Sequence, residues 1–166
     1  MSLWGWLFGY SSPNANETAP LGAQASGRFG QHRHMPDGNW VQTTTVVKVA
    51  GVQHRKRDVS AFIAAVRAAE RGGLIYGVRL IPEPSNRYDA NAIAVMGFAG
   101  QREWQIGYLE RDLAREINRD LIDKGLPVAG ELYAVWVGDN GFVDISIIVL
   151  APPGNGLKAR LRRRSG

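Results

Sequence analysis

The sequence predicts an α+β fold, mainly β: a small, curled β-barrel or sheet of about six strands with two helices. Runs of β-branched and aromatic residues recur from residue 44 onward, bounded by Gly, Pro, Asn or Asp. Two longer segments instead place apolar residues at helical spacing. The run Asp139-Asn140-Gly141 is a strong hairpin signal between two apolar stretches. Because helices interrupt the series of strands, we expect a curled sheet partly covered by helices.

The first half of the predicted domain contains one strand, a basic loop and a helix. Residues 44–52 are β-branched and predict the strand, and residues 53–57 form the loop. Asp58 is a good N-cap for the helix, and Gly72 and Gly73 end it. The helix is predicted from the spacing of its apolar residues, which are Val59, Phe62, Ile63 and Val66.

Five further strands and a second helix follow. The strands are predicted at residues 74–84, 92–96, 102–109, 128–138 and 141–150. The second helix is predicted at residues 110–124, because Leu113, Ile117 and Leu121 are spaced four apart and Gly125 follows them.

Composition divides the chain into three parts: an aromatic N-terminal segment with a flexible linker (1–43), the domain (44–151) and a basic disordered tail (152–166). The opening MSLWGWLFGY is apolar, and no Lys or Arg precedes Arg28, so it is a poor signal peptide. No run approaches the roughly 20 apolar residues of a membrane span. We therefore expect a cytoplasmic protein.

Charge and cysteine content exclude several kinds of site. The net charge is +5, and all of this excess lies in residues 151–166, so the remainder is neutral overall. A neutral domain argues against a broad electrostatic nucleic-acid platform and leaves room for a small, local site. The absence of cysteine removes disulfides, thiolate zinc sites and thiol nucleophiles. The three histidines lack suitable partners, so no metal or cofactor is expected.

A crowded polar loop, with Asn86, Arg87, Tyr88, Asp89 and Asn91, precedes the third predicted strand. Asn and Asp at such a place commonly form turns with their own backbone, which is one interpretation. The other is a binding site for a sugar-phosphate terminus, where a carboxylate accepts a hydrogen bond from a hydroxyl and a ring stacks on a base. Catalysis is a weaker interpretation, because no nucleophile–base set accompanies the loop.

The segment EPSNRYDANAIAV, followed by QIGYL and an amphipathic helix, resembles the HIRAN domain. The similarity rests mainly on Asn86, Asp89, Asn91, Ala92 and Ile93. It implies a modified OB-like barrel with two helices. It also implies recognition of single-stranded DNA, at free 3′-hydroxyl ends, in DNA repair or replication-fork processing.

The resemblance also implies a set of nucleic-acid-binding residues. By motif position these are Asn86, Tyr88 and Asp89 at the terminal nucleotide, His54 and Arg55 in the basic loop, Tyr108 and Arg111 at the start of the second helix, and Phe142 after the hairpin turn. A helix N-terminus suits phosphate. Glu110 and Asp112 in the same turn oppose it.

Two other functions stay open at this stage. One is a non-catalytic module that docks on a protein or membrane; a helicase, a nuclease or another protein would then bind the N-terminal aromatic segment. The other is the acid-anhydride hydrolase association of HIRAN-containing helicase-like proteins. The sequence has no phosphate-binding loop of the Gly-x-x-x-x-Gly-Lys-Ser/Thr type, so we do not expect an enzyme.

Overall fold

The computed structural model describes residues 23–25 and 33–166. Its strands are β1 (Ala23–Ala25), β2 (Val41–Gln42), β3 (Val47–Lys48), β4 (Tyr76–Pro82), β5 (Ile93–Ala99), β6 (Arg102–Tyr108), β7 (Ala129–Gly138) and β8 (Val143–Ala151). Its helices are α1 (Lys56–Gly72), α2 (Arg111–Asp120) and α3 (Leu157–Ser165). Short 3₁₀ turns at Val52–His54 and Ile122–Lys124 precede α1 and follow α2. The predicted α+β class, mainly β, is confirmed.

Two antiparallel sheets make up the fold. β4, β5 and β6 form a three-stranded meander. The other sheet has the order β1-β7-β8-β2, and β3 also pairs with β8. The predicted hairpin is confirmed, because β7 and β8 are paired through most of their length across the turn that contains Gly141. In the part of the chain that the structure describes, strand pairing does not close these sheets into a continuous barrel.

The two sheets meet where the chain leaving β3 crosses the end of β6. Ala50 and Tyr108 exchange two backbone hydrogen bonds there, of 2.8 and 2.9 Å. Gly107 allows this approach, because a Cβ atom at that position would lie 2.3 Å from the carbonyl oxygen of Ala50. The Ile-Gly-Tyr-Leu motif therefore has a structural reason: its glycine lets the sheets join, and its tyrosine lies at the junction.

Helix α1 covers the meander and supplies much of the core. Val59, Phe62 and Val66 are buried along one face of the helix, as the sequence predicts. Phe62 packs directly over Gly97 of β5, where any Cβ atom would overlap its ring. The helix begins at Lys56, so Asp58 lies in its first turn and is not the N-cap. Arg55 holds that position without a side-chain cap, because the 3₁₀ turn leads directly into the helix.

The predicted single strand at residues 44–52 is wrong in detail, since β2 lies before that range, and the range itself contains the two-residue strand β3 and an isolated bridge at Ala50. Two buried threonines interrupt the pairing. Thr43 donates its hydroxyl hydrogen to the carbonyl of Asn155, and the Thr44 hydroxyl accepts from the backbone N–H of Val149. These hydroxyl groups pair with a backbone carbonyl and a backbone N–H that neighbouring strands would pair with in a regular sheet. The chain therefore bends between β2 and β3.

The predicted disordered tail differs from the structure, in which residues 157–165 form α3. Arg160 explains the difference. Its side chain is 3% exposed, and its guanidinium lies 3.0 Å from Asp120 and 3.3 Å from Glu116 on α2. It also donates to the backbone carbonyl of Thr43. A basic sequence without apolar periodicity can therefore dock through one buried arginine.

The predicted N-terminal aromatic segment lies outside the described residues, as does most of the predicted linker. The end of that linker packs on the domain. Arg33 lies 2.9 Å from the largely buried carboxylate of Glu131, and its guanidinium also donates to the carbonyl of Leu132. His34 donates its backbone N–H to Tyr76 and contacts the ring of Phe98. Within the described part of the chain, no helix is both long and apolar enough to cross a membrane.

We predict that Arg160→Met destabilises the domain by about 3 kcal/mol, because it removes one of the two arginines that pair with the buried Asp120 carboxylate, together with the contact to the Thr43 carbonyl. Urea unfolding measures this change. Arg162→Met, an exposed position on the same helix, is the matched control and should stay within about 0.5 kcal/mol of the wild type. Equal stability of all three proteins would contradict the docking role of Arg160.

We also predict that two N-terminal truncations differ in stability. Removal of residues 1–32 keeps Arg33 and His34, whereas removal of residues 1–40 leaves Glu131 buried without its cation. The shorter protein should lose about 2 kcal/mol relative to the longer one, the cost of a lost hydrogen bond to a charged group. Thermal unfolding of the two proteins checks this, and coincident transitions would show that residues 33–40 contribute nothing.

Candidate nucleic-acid interface

A pocket of about 330 Å³ opens between the polar loop, the sheet junction and the start of α2. We call it the loop pocket. It is lined by Ala50, Asn86, Tyr88, Asp89, Ala92, Tyr108, Leu109, Arg111 and Ala114. Five of these nine residues, Asn86, Tyr88, Asp89, Tyr108 and Arg111, are among those that the sequence singled out. They come from two separate segments of the chain, 86–89 and 108–111, and the fold brings them to one place.

The polar loop is held in shape by its own side chains. The Asn86 side-chain oxygen accepts from the backbone N–H groups of Tyr88 and Asp89, at 3.0 and 3.2 Å. One carboxylate oxygen of Asp89 accepts from the N–H of Asn91 at 2.9 Å. These are the turns that Asn and Asp commonly form with nearby backbone. The turn interpretation is therefore confirmed for Asn86 and Asp89, but it leaves Tyr88 unexplained.

The second carboxylate oxygen of Asp89 takes no part in the turn. It lies 3.3 Å from Nε of Arg111, the first residue of α2. The hydrogen bond from the Asn91 backbone, assisted by Arg111, lowers the pKa of Asp89 below its ordinary value. At neutral pH the pocket wall therefore carries an ionised acceptor whose turn is already satisfied.

Tyr88 is exposed to 76%, although its backbone is held in the turn by the hydrogen bond to Asn86. The guanidinium of Arg87 lies 4.7 Å from the centre of its ring and also contacts its hydroxyl. An aromatic ring held at the rim of a pocket, with one face open, offers a surface for stacking.

The opposite wall carries a second aromatic residue with an arginine beside it. Tyr108 is fixed by the junction with Ala50, and the guanidinium of Arg55 lies 5.4 Å from the centre of its ring. Arg55 comes from the basic loop, which thus lies beside the pocket through Tyr108; a role of this loop in binding stays a prediction. The two walls together pair aromatic surface with cationic groups.

The start of α2 is only partly available to an anion. The Glu110 carboxylate accepts from the backbone N–H groups of Asp112 and Leu113, at 3.1 and 3.2 Å. It therefore occupies two of the N–H groups that a helix N-terminus offers to phosphate. Glu110, which the sequence predicts to oppose phosphate binding, is thus the N-cap of α2.

Besides Arg55, which is beside the pocket only through its contact with Tyr108, two predicted site residues, His54 and Phe142, do not line the loop pocket. His54 ends the 3₁₀ turn before α1 and is exposed. Phe142 is 42% exposed and packs edge-on against Trp136, 5.9 Å between ring centres. Gln53 joins their segments by donating to the carbonyl of Val143 at 2.7 Å. These residues lie on neighbouring segments, and a role in binding stays a prediction for both.

Sequence reasoning missed Asn118, which fixes the polar loop against α2. Its buried side-chain amide donates to the carbonyls of Asn91 and Ala114, at 2.8 and 2.9 Å. The available signal was a polar residue next to Ile117 on the inner face of an amphipathic helix. Two small residues, Ala50 and Ala114, were also missed; with Ala92 of the motif they line the pocket and leave its interior open. Across the described residues, no three His, Asp or Glu side chains group together as metal ligands.

Comparison with known proteins gives one family and two solved structures. The family model described as HIRAN domain matches residues 42–161, which runs past the predicted boundary at 151 into α3. A crystal structure of a Lactobacillus plantarum protein is 20% identical, with a TM-score of 0.45 over 68% of this chain and 95% of that chain. The crystal structure of the HIRAN domain of human HLTF is 20% identical, with a TM-score of 0.42 over 78% of this chain and 96% of that chain. No curated protein sequence matches this chain.

We predict that Asn118→Ala destabilises the domain by about 1–3 kcal/mol, because the Asn91 carbonyl loses its partner and a small cavity forms. The loop should also become more mobile, which amide hydrogen exchange at Asn91 and Ala92 measures. Asn140→Ala, in the distant β7–β8 turn, is the control and should leave exchange at these two amides unchanged. Unaltered exchange in Asn118→Ala would mean that α2 does not fix the loop.

Proposed function

Because the chain belongs to the HIRAN domain family, whose members are single-stranded-DNA-binding modules, we propose that it holds the free 3′-hydroxyl end of a DNA strand in the loop pocket. This recognition would serve DNA repair or replication-fork processing. The proposal is one of binding without catalysis. The Asp89 carboxylate has a lowered pKa and an arginine partner, so it suits hydrogen-bond acceptance better than proton abstraction at neutral pH.

The observation that carries the proposal is the exposure of Tyr88 at the rim of the pocket. A tyrosine exposed to 76% gives little to folding stability, yet the turns of Asn86 and Asp89 hold its backbone in place. Fixing the ring before binding reduces the entropy that stacking would otherwise cost. This arrangement supports a role in stacking on an unpaired base.

Asp89 supplies the selectivity for an end. Asp89 lines the pocket, and its second carboxylate oxygen, which takes no part in the turn, can accept a hydrogen bond from a sugar hydroxyl. A terminal 3′-phosphate would bring negative charge against this carboxylate, which is unfavourable. A continuous strand has no free 3′-hydroxyl to donate. The same oxygen would thus favour a hydroxyl end over both alternatives.

Two arginines at the pocket suit the phosphates that accompany the terminal nucleotide. Arg111 lines the pocket and is 66% exposed, and Arg55 lies over Tyr108 on the other wall. An arginine has five N–H donors, so the hydrogen bond to Asp89 leaves Arg111 able to bind a phosphate oxygen. A helicase, nuclease or other partner for the N-terminal segment stays a prediction, as does a cytoplasmic location.

We predict that Tyr88→Ala lowers the affinity for a short oligonucleotide with a 3′-hydroxyl by about 1–3 kcal/mol, the value of one stacked base. Asp89→Asn should weaken the same complex about ten-fold, because the charged acceptor is lost. It should also remove the preference for a 3′-hydroxyl over a 3′-phosphate. Fluorescence anisotropy with the two labelled oligonucleotides measures both effects.

Asp89→Asn is the sharper variant, because asparagine keeps an oxygen for the N–H of Asn91 and so preserves the turn. Asp139→Asn, an exposed carboxylate in the β7–β8 turn, is its matched control and should bind both oligonucleotides as the wild type does. If the wild type does not distinguish the two ends, or if Asp89→Asn keeps the full preference, the polar loop is only a structural turn.

A further inference from the structure

We propose that α2 and α3 extend the interface beyond the loop pocket, and that they bind the phosphates of the strand on the 5′ side of its held end. Two parts form this extension. The arginine track consists of Arg111, Arg115 and Arg119 on α2. The basic pocket, at the far end of α2, is lined by Arg119, Asp120, Lys124, Arg160, Arg163 and Arg164. This inference deepens the proposed function and rests on it.

The arginine track connects the two pockets along one side of α2. Its residues are four apart, so successive side chains lie about 6 Å from one another along the helix axis and drift only slowly around it. Arg111 lines the loop pocket and Arg119 lines the basic pocket. Their side chains, with that of Arg115 between them, are 66%, 57% and 55% exposed. This repeat is comparable to the spacing of phosphates in an extended strand.

The carboxylates beside the track do not fill the arginines' capacity. Arg111 contacts Asp89, Arg115 contacts Asp112, and Arg119 contacts Asp120, each through one nitrogen. These ion pairs leave most of the five N–H donors of each guanidinium for other acceptors. The carboxylates orient the arginines more than they neutralise them, because all three guanidinium groups remain largely in water.

The basic pocket carries a surplus of positive charge. Five of its six lining residues are cationic, in a space of about 380 Å³. Asp120 lines it, and Glu116 contacts Arg160 and Arg164 from nearby. Among the described residues, Arg163 donates to two neutral oxygens, those of Gly154 and Asn155. Within residues 33–166, the Lys124 side chain has no hydrogen bond or ion pair, and only its backbone N–H donates, to Leu121.

Arg160 makes this pocket a built feature of the fold. It is 2% exposed, and its guanidinium is held by Asp120, Glu116 and the Thr43 carbonyl. Its Nε is buried and, in the described part of the chain, has no hydrogen-bond partner. Burial alone would raise the pKa of Asp120, but hydrogen bonds from Arg119 and Arg160 lower it overall. The wall of the pocket thus stays charged and fixed, with one donor unused.

The arginine track joins the loop pocket to the basic pocket without interruption. This arrangement favours a nucleic-acid strand over an acidic peptide as the ligand of the basic pocket. The basic pocket lies one helix length, about 15 Å, from the loop pocket, and the arginine track fills the interval. A strand whose 3′ end occupies the loop pocket can therefore present its next few phosphates to the track in order. An acidic peptide would explain the basic pocket but not its alignment with the loop pocket.

The test compares a short oligonucleotide of about three nucleotides, which fills only the loop pocket, with one of about ten, which also reaches the basic pocket. Both carry a 3′-hydroxyl. The double variant Lys124→Gln with Arg163→Gln should bind the longer strand about ten-fold more weakly and the short one as the wild type does. Its log affinity should depend less steeply on log salt, by about 1.4, since each phosphate contact with a single strand contributes about 0.7.

Two further variants test whether the effect arises from a change in folding or from a change in net charge. Lys124→Gln alone removes no contact seen within the described residues, so it should show part of the effect at unchanged melting temperature. Arg162→Gln lies on α3 outside the basic pocket and changes the charge equally. It should lose less than two-fold on either strand. A loss in Arg162→Gln equal to that of Lys124→Gln would reduce the effect to net charge and overturn the proposal.

The outcomes separate this inference from the proposed function. If the longer strand binds no better than the short one, or the double variant binds both as the wild type does, the extension is wrong while end selectivity can stand. If the variants weaken only the longer strand but no 3′-hydroxyl preference exists, end recognition fails and the extension survives. Binding of oligoglutamate as tight as that of the longer strand, and lost in the same variants, would assign the basic pocket to an acidic peptide.

Discussion

The backbone contact between Ala50 and Tyr108 is the constraint on which the site depends. It joins the two sheets, and it sets the point at which the chain turns from β6 into α2. Ala50, Tyr108 and Leu109 line the loop pocket because of it. Gly107 permits the approach, since a side chain there would strike the Ala50 carbonyl. Without this crossing, the basic loop, the polar loop and the first turn of α2 would have no common surface.

The sequence predicted the elements whose signals are local, and it was less accurate where distant contacts decide. The Asp139-Asn140-Gly141 turn and the apolar face of α1 carry their own signals, and both were found. The break between β2 and β3 depends on hydrogen bonds between the Thr43 and Thr44 hydroxyls and residues more than 100 positions away. Helix α3 depends on one buried Arg160 that meets carboxylates of α2. The tail has no apolar periodicity from which helix α3 could be predicted.

The site shows the same division between local and distant causes. Asn86, Tyr88 and Asp89 were found because they are crowded together, and motif resemblance added Tyr108 and Arg111. Asn118 was not found, because its role is a hydrogen bond to the carbonyl of Asn91, 27 residues away. Neutral overall charge from residue 1 to 150 also concealed the alignment of arginines along α2. Summed charge over a segment says little about one face of one helix.

Glu110 gives the start of α2 a built-in competitor. Its carboxylate already holds the N–H groups of Asp112 and Leu113, and its tether keeps its effective concentration high, of the order of millimolar or above. A free anion such as dissolved phosphate must displace this carboxylate by its own affinity alone. A phosphate on a strand that is already bound elsewhere on the protein also has a high effective concentration. It therefore competes with the Glu110 carboxylate on equal terms. The Glu110 N-cap therefore favours the phosphates of a bound strand over free anions, and it keeps small anions in solution from binding at the helix terminus.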